Sequence, residues 1–208
     1  MSFRSQTLAS RGFVVASLAA FSLFGYGCGG SNNSATLSGQ FTASATPVAV
    51  DLIKLVPQAA SGARVVVQAV IYGPTTSLDM YSFAFDVKIG DPTVLKFVPN
   101  SAVAGNALIA SAGQTIQFEA GPDLSDPSRI VVGVSKFGGG SGNGVAGASS
   151  IIVSLAFDVI KQGTSTLAIS TAPHAPAVLD HNGAVIVAIT FDPLNGSVTG
   201  ISTGGGGY

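Results

Sequence analysis

Between Tyr81 and Ile89 the chain alternates: Tyr81, Phe83, Phe85, Val87 and Ile89 fall on odd positions, with Ser82, Ala84, Asp86 and Lys88 between them. Successive side chains of a strand point to opposite faces, so this period of two predicts a long strand with one buried and one water-facing side. Gly90-Asp91-Pro92 ends it, because proline removes a backbone donor and fixes φ, and Asp-Pro favours a turn. A shorter apolar run, Val94 to Val98, follows. Upstream, Arg64 to Tyr72 (RVVVQAVIY) is β-branched and apolar on both faces, the pattern of a strand at the centre of a sheet.

The same reading extends along the chain. Val48 to Leu55 forms a first strand that stops at Pro57. Thr115 to Glu119 turns Ile116 and Phe118 inward, and Arg129 to Lys136 does the same with Ile130, Val132 and Val134. Ser150 to Lys161 places Ile151, Val153, Leu155, Phe157 and Val159 on one side. Short strands follow at Ser165 to Ser170, Val178-Leu179, Val185 to Phe191 and Gly196 to Ile201. Asn100 to Gly113 reads as loop with a weak strand near Leu108-Ile109, while Gly121 to Pro127 and Asp180 to Gly183 carry turn chemistry. No window of ten residues shows a helical period with caps. Nine or ten short strands separated by turn signals predict an all-β domain over residues 48–201, a two-sheet β-sandwich.

The N-terminal part is of another kind. Arg4 and Arg11 precede an uncharged apolar run, Gly12 to Phe24, whose 13 residues fall short of the ~20 that a spanning helix needs and match a signal peptide. Gly25 and Gly27 lie just before Cys28, the single cysteine of the chain. The pattern resembles a bacterial lipoprotein signal, which implies cleavage after residue 27 and lipidation of Cys28. Gly25 stands where that signal usually has Leu, and an ordinary signal peptide cut nearby is the rival reading. Gly29 after the cysteine, rather than Asp, points away from inner-membrane retention, so an outer-membrane or cell-surface location is expected. Residues 28–47, rich in Ser, Thr, Ala, Asn and Gly, read as a flexible tether, and 202–208 as a disordered tail.

Composition narrows the function. Of 208 residues 47% are apolar, enough for a core, but only 9% are charged, against roughly 25% in average soluble proteins. Arg4 and Arg11 are two of nine basic residues, so without the first 27 residues seven basic groups face ten acidic ones, a net charge of −3. That leaves no basic patch for nucleic acid. One cysteine excludes an internal disulfide and a cysteine metal cluster. His174 and His181 both fall in loops, and no G-x-S-x-G elbow is present, so catalysis is not expected. The glycine run Gly138 to Gly144 lacks the lysine and following helix of a phosphate loop. Two oxygen-rich loops, Glu119 with Asp123 and Asp126, and Asp180 with Asn182 and Asp192, are weak calcium candidates. Neither has EF-hand spacing, and Asp and Asn also serve turns. No metal or cofactor is expected. No tryptophan is present, and Tyr72 and Tyr81 are the only tyrosines in the predicted sandwich, so an aromatic strip for crystalline polysaccharide is poorly supported.

Three stretches carry a family resemblance. They are Arg64 to Tyr72; Phe83 to Phe97 with its Asp91-Pro92-x-Val94-Leu95 turn; and Gly144-Val145 through Leu155-x-Phe157-x-Val159 to Gly163 and Leu167. Together, from about Val48 to Val198, they resemble a cohesin domain. The resemblance implies a nine-stranded jelly roll, related in fold to some carbohydrate-binding modules, that receives a dockerin domain. The segment from Phe85 to Asp91 is longer than the usual cohesin spacing, so no individual contact residue is carried over. The water-facing row Ser82, Ala84, Asp86 and Lys88 is the candidate binding face. The expected function is a non-catalytic, envelope-anchored module docking a dockerin-like protein, linked to polysaccharide degradation. A carbohydrate-binding module with a polysaccharide ligand and a structural envelope lipoprotein are the alternatives.

Overall fold

The computed structural model describes residues 36–75, 78–140 and 149–203. Cys28 and the predicted signal lie outside them, as do most of the glycine loop and the last five residues. In chain order the strands are β1 (Thr36–Thr42), β2 (Leu52–Ser61), β3 (Arg64–Tyr72), β4 (Ser82–Ile89), β5 (Leu95–Phe97), β6 (Val103–Ala104) and β7 (Thr115–Pro122). Then come β8 (Arg129–Phe137), β9 (Ser149–Val159), β10 (Gly163–Ser170), β11 (Ala177–Leu179), β12 (Thr190–Phe191) and β13 (Gly196–Thr203). Among the described residues these thirteen strands replace the nine or ten expected, the unexpected ones being the edge strand β1 and the two-residue β6. Among the described residues there is no α-helix.

The strands form two sheets. One has the order β1-β13-β10-β4-β8-β7, with β11 also paired to β4; the other has β12-β2-β3-β9-β5, with β6 also paired to β9. Among the described residues only the β12–β2 pairing is parallel. Residues of inward parity from both sheets meet in one core: Phe83, Phe85, Val87, Ile89, Ile130, Val132 and Val134 face Ile53, Val65, Val67, Ile71, Leu155 and Phe157. Phe97 and Phe157 meet edge to face at 5.8 Å. The alternating pattern thus produces the fold as expected, and β3 is flanked on both sides by β2 and β9.

Four local readings change. Thr36–Thr42, expected within the tether, is a full edge strand paired to β13 from Thr36↔Thr203 to Thr42↔Ser197, so Ser202 and Thr203 are strand rather than tail. Few apolar residues mark β1, but Phe41 is buried, and a Cβ on Gly196 would lie only 2.4 Å from its ring. A Cβ on Gly39 would likewise meet Val65 at 2.6 Å, so glycine lets this edge close on the core. Pro57 does not end β2, which runs to Ser61 through a register shift between Pro57 and Ala59. β12 reaches only Leu52 and Ile53, so the missing N–H of Pro57 falls where one side of the strand has no neighbour. In β9 a bulge opposite Ala69 and Val70 skips Ile152, which becomes buried while Ile151 turns half outward. Finally, Val185 to Phe191 pairs as a strand only at Thr190–Phe191, with Val185 and Val187 exposed.

Candidate docking face

β4 lies between β8 on one edge and β10 and β11 on the other, so its outward row sits near the middle of the seven-stranded sheet. Register sets Ser82 opposite Ser135, Ala84 opposite Gly133, Asp86 opposite Val131 and Lys88 opposite Arg129. The two serine hydroxyls are 2.6 Å apart. Ala84 beside Gly133 leaves a shallow centre with no long side chain, and Val131 next to it is 41% exposed. Beyond β8 the outward residues of β7 are Gln117, Glu119 and Gly121. A groove of about 670 Å³ crosses β7 from Val131 and Gly133 to Asn100 and Ala102 of the segment between β5 and β6.

Asp86 departs from the expected water-facing row, since it is only 2% exposed. Arg129 on β8 lies over it, with Nε 3.6 Å from Asp86 Oδ2. The chain between β10 and β11 leaves the sheet and returns beside the same strand, bringing His174 Nδ1 to 3.6 Å from that oxygen. Parity placed Asp86 on the outer side of the sheet, and residues distant in sequence covered it. Lys88 is half-buried and donates to Asp126 Oδ2 at 2.5 Å and to Ser128 Oγ at 2.5 Å.

The Asp123–Ser128 turn is tied to this face. Asp123 Oδ1 accepts from the Ser125 amide at 2.6 Å and hydroxyl at 2.5 Å, and Oδ2 accepts from Arg129 Nη2 at 2.8 Å. Asp126 Oδ1 accepts from the Ser128 amide and hydroxyl. These bonds hold both carboxyls below the usual range, Asp123 chiefly through Ser125 and Asp126 at about 2 chiefly through Lys88. The oxygens considered for calcium therefore serve the turn and two cations, while Glu119 is exposed on β7. Asp180 closes its own turn through the Asn182 and Ala184 amides, and Asp192 instead receives Ser44 and Thr46. Among the described residues no three His, Cys, Asp or Glu side chains are grouped to hold a metal ion.

A second polar group, not singled out from sequence, lies at the Ser82 end of β4. Lys136 shares the inward parity of Ile130, Val132 and Val134, and its ammonium is buried at the end of the sandwich. Burial lowers its pKa, and the nearby Asp79 carboxylate opposes that shift. Among the described residues Lys136 Nζ and Asp79 Oδ1 have no hydrogen-bond partner. Asp79 Oδ2 contacts His181 Nδ1 in the Asp180–Gly183 turn. The even-numbered position of Lys136 in a strand of inward valines was the available signal.

No family model matches the chain, and no curated protein matches it. Solved structures that match the chain include cohesins. A type II cohesin domain from the cellulosome of Acetivibrio cellulolyticus is 19% identical with a TM-score of 0.41, over 79% of this chain and 95% of that one. The CaDoc0917–CaCohA2 complex matches at 18% identity and a TM-score of 0.45, over 65% of this chain and 88% of that one. A type II cohesin–X–dockerin complex of A. cellulolyticus matches at 12% and 0.41, over 76% and 97%.

Proposed function

We propose that this protein is a non-catalytic, envelope-anchored module that docks a protein partner of the dockerin class on the outer face of β7, β8, β4 and β10. The observation that carries the proposal is the centre of that face, where Ala84, Gly133 and exposed Val131 leave a patch of small and apolar side chains, with exposed Glu119 opposite Gly133 at its β7 edge. Around it Lys88, Asp126, Arg129 and Asp123 are already paired with one another. An apolar centre with a polar rim is the anatomy of a protein interface, and neutralised rim charges lower the desolvation cost of covering them. Strands about 4.8 Å apart rising about 3.4 Å per residue give four strands a platform of roughly 20 by 25 Å, suited to one small domain. The dockerin class comes from the residue-level resemblance of β3, β4 and β9.

The anchor belongs to the same proposal. In sequence, Cys28 lies seven residues, 29–35, ahead of Thr36, the first described residue of β1. A lipidated Cys28 would tether the exported chain to a membrane.

The test is capture from the secretome of the producing organism with the exported chain as bait, followed by mass spectrometry. Wild type should retain a dockerin-bearing protein, and Val131→Arg should lose it while keeping its unfolding midpoint. Equal retention by the variant, or binding to insoluble polysaccharide with no protein partner, overturns the proposal. Metabolic labelling with a palmitate analogue should mark wild type and not Cys28→Ser; an unlabelled wild type ends the anchor.

A further inference from the structure

We propose that the cleft at the Ser82 end of β4, between Phe137 and the Asp180–Gly183 turn, is a binding site for a single neutral pyranose unit. The cleft encloses about 440 Å³, a size within the usual range of small-ligand sites. Phe137 is 54% exposed on its wall, and Tyr81, just ahead of β4 and bonded through its carbonyl to the Lys136 amide, donates its hydroxyl to the Gly138 carbonyl at 2.6 Å. An exposed ring offers a flat apolar surface to the C–H face of a sugar, and a tyrosine fixed by its hydroxyl presents its ring at little entropic cost. Ser82, Ser135 and Asn182 add hydroxyl and amide groups to the wall, beside Leu179, Lys136, Asp180 and His181. Each serine hydroxyl keeps hydrogen-bonding capacity beyond their mutual contact.

The charges favour a neutral ligand. Asp180 is occupied by the amides of its own turn, which hold its pKa below the usual range, and Asp79 holds His181. With Nδ1 turned to Asp79, the other ring nitrogen of His181 is left as a hydrogen-bonding group, suited to a hydroxyl that can both donate and accept. Lys136 reaches the cleft from the buried side with the Asp79 carboxylate near it, and the carboxylate of Asp180 is turned to its own amides, so no charged group is left free to pair with an ionic ligand. A hydroxyl-rich, uncharged ligand with one apolar face meets every group. One exposed ring suits one sugar unit at a chain end rather than the flat surface of crystalline polysaccharide. The site lies at the opposite end of β4 from Lys88 and does not depend on the docking proposal.

The test is amide chemical-shift mapping of the exported chain with cellobiose, xylobiose and diacetylchitobiose as probes, and inorganic phosphate and acetate as charged controls. At least one disaccharide should shift the amides of 81–82, 135–138 and 180–183 saturably at millimolar concentration or below. Phe137→Ala should weaken that probe at least about fivefold, the loss of a stacked ring. His181→Ala should weaken it too, and Val131→Arg should leave it unchanged. No shift with any disaccharide, shifts elsewhere, full binding by Phe137→Ala, or binding of the anions alone overturns the proposal. If Phe137→Ala loses the sugar while retaining the protein partner, the two sites are separate; a failure of either leaves the other standing.

Discussion

Both sheets carry an arginine–aspartate pair between neighbouring strands, and the two pairs contrast. Arg64 and Asp158, on β3 and β9, meet side by side with two bonds of 2.9 and 3.1 Å, and their side chains are 53% and 38% exposed. Arg129 and Asp86, on β8 and β4, approach only to 3.6 Å, but their side chains are 11% and 3% exposed. The pair with the better geometry lies in water, where solvent screening and side-chain entropy cancel most of its attraction. The pair with the poorer geometry is dry, and Arg129 also holds Asp123 at 2.8 Å. Its weight comes from what its loss would leave behind, because a buried carboxylate without its counter-charge is costly. Burial, more than distance, decides which pair the fold depends on.

The largest effect that would break this contrast is on Arg129. Arg129→Met keeps volume but strands Asp86, and should lower the unfolding free energy by about 3–5 kcal/mol in urea titration. A loss no larger than that of an ordinary surface substitution would show that His174 and solvent suffice for Asp86. Replacing both partners, Arg129→Met with Asp86→Leu, should recover most of that loss, since an apolar pair removes the stranded charge. If the double variant is no better than the single one, the arginine acts through Asp123 instead.

Acid gives the next effect. Asp126 is held at about 2 by Lys88 and Ser128, and Asp123 is lowered as well. In Asp192 burial raises the pKa, but bonds from Ser44 and Thr46 outweigh it and leave the net shift downward. Carboxyls lowered in the fold contribute stability that is complete above the unfolded value of about 3.9 and is lost as pH falls through the folded values. The urea midpoint should therefore hold from neutral pH down to about pH 5 and fall between about pH 4 and 2, less steeply in Asp126→Asn. A midpoint independent of pH across that window contradicts the assignment. The smallest effect is expected at the exposed pair: Arg64→Ala should leave the midpoint within experimental error, and a clear drop would restore geometry over burial.

The strands themselves were legible because alternation is local. Phe83, Phe85, Val87 and Ile89 face inward as their spacing requires, and the apolar double face of Arg64 to Tyr72 belongs to a strand with neighbours on both sides. The Asp91 turn is local too, its Oδ1 accepting from the Thr93 amide at 2.8 Å and hydroxyl at 2.7 Å. Period-two counting failed where one residue was inserted: skipping Ile152 turned Ile151 outward. It also failed for Thr36–Thr42, where only Leu37 and Phe41 are large and apolar and the strand is held by a backbone ladder to β13. Lys136 followed its parity into the interior, although its charge argued against that place.

What the amino-acid sequence determined by itself is the all-β class, the inward faces of the main strands and the turns between them, because each depends on residues within a few positions of one another. What only the tertiary structure decided is the state of the outward faces. Ala84 and Asp86 read alike as water-facing, yet one remains exposed while Arg129 and His174, 43 and 88 residues further along the chain, cover the other. The cleft beside Phe137 likewise exists only because the Asp180–Gly183 turn folds back against β4 and β8. An inward face needs only its own period and a core to meet. An outward face is defined by whichever distant segments the chain lays across it.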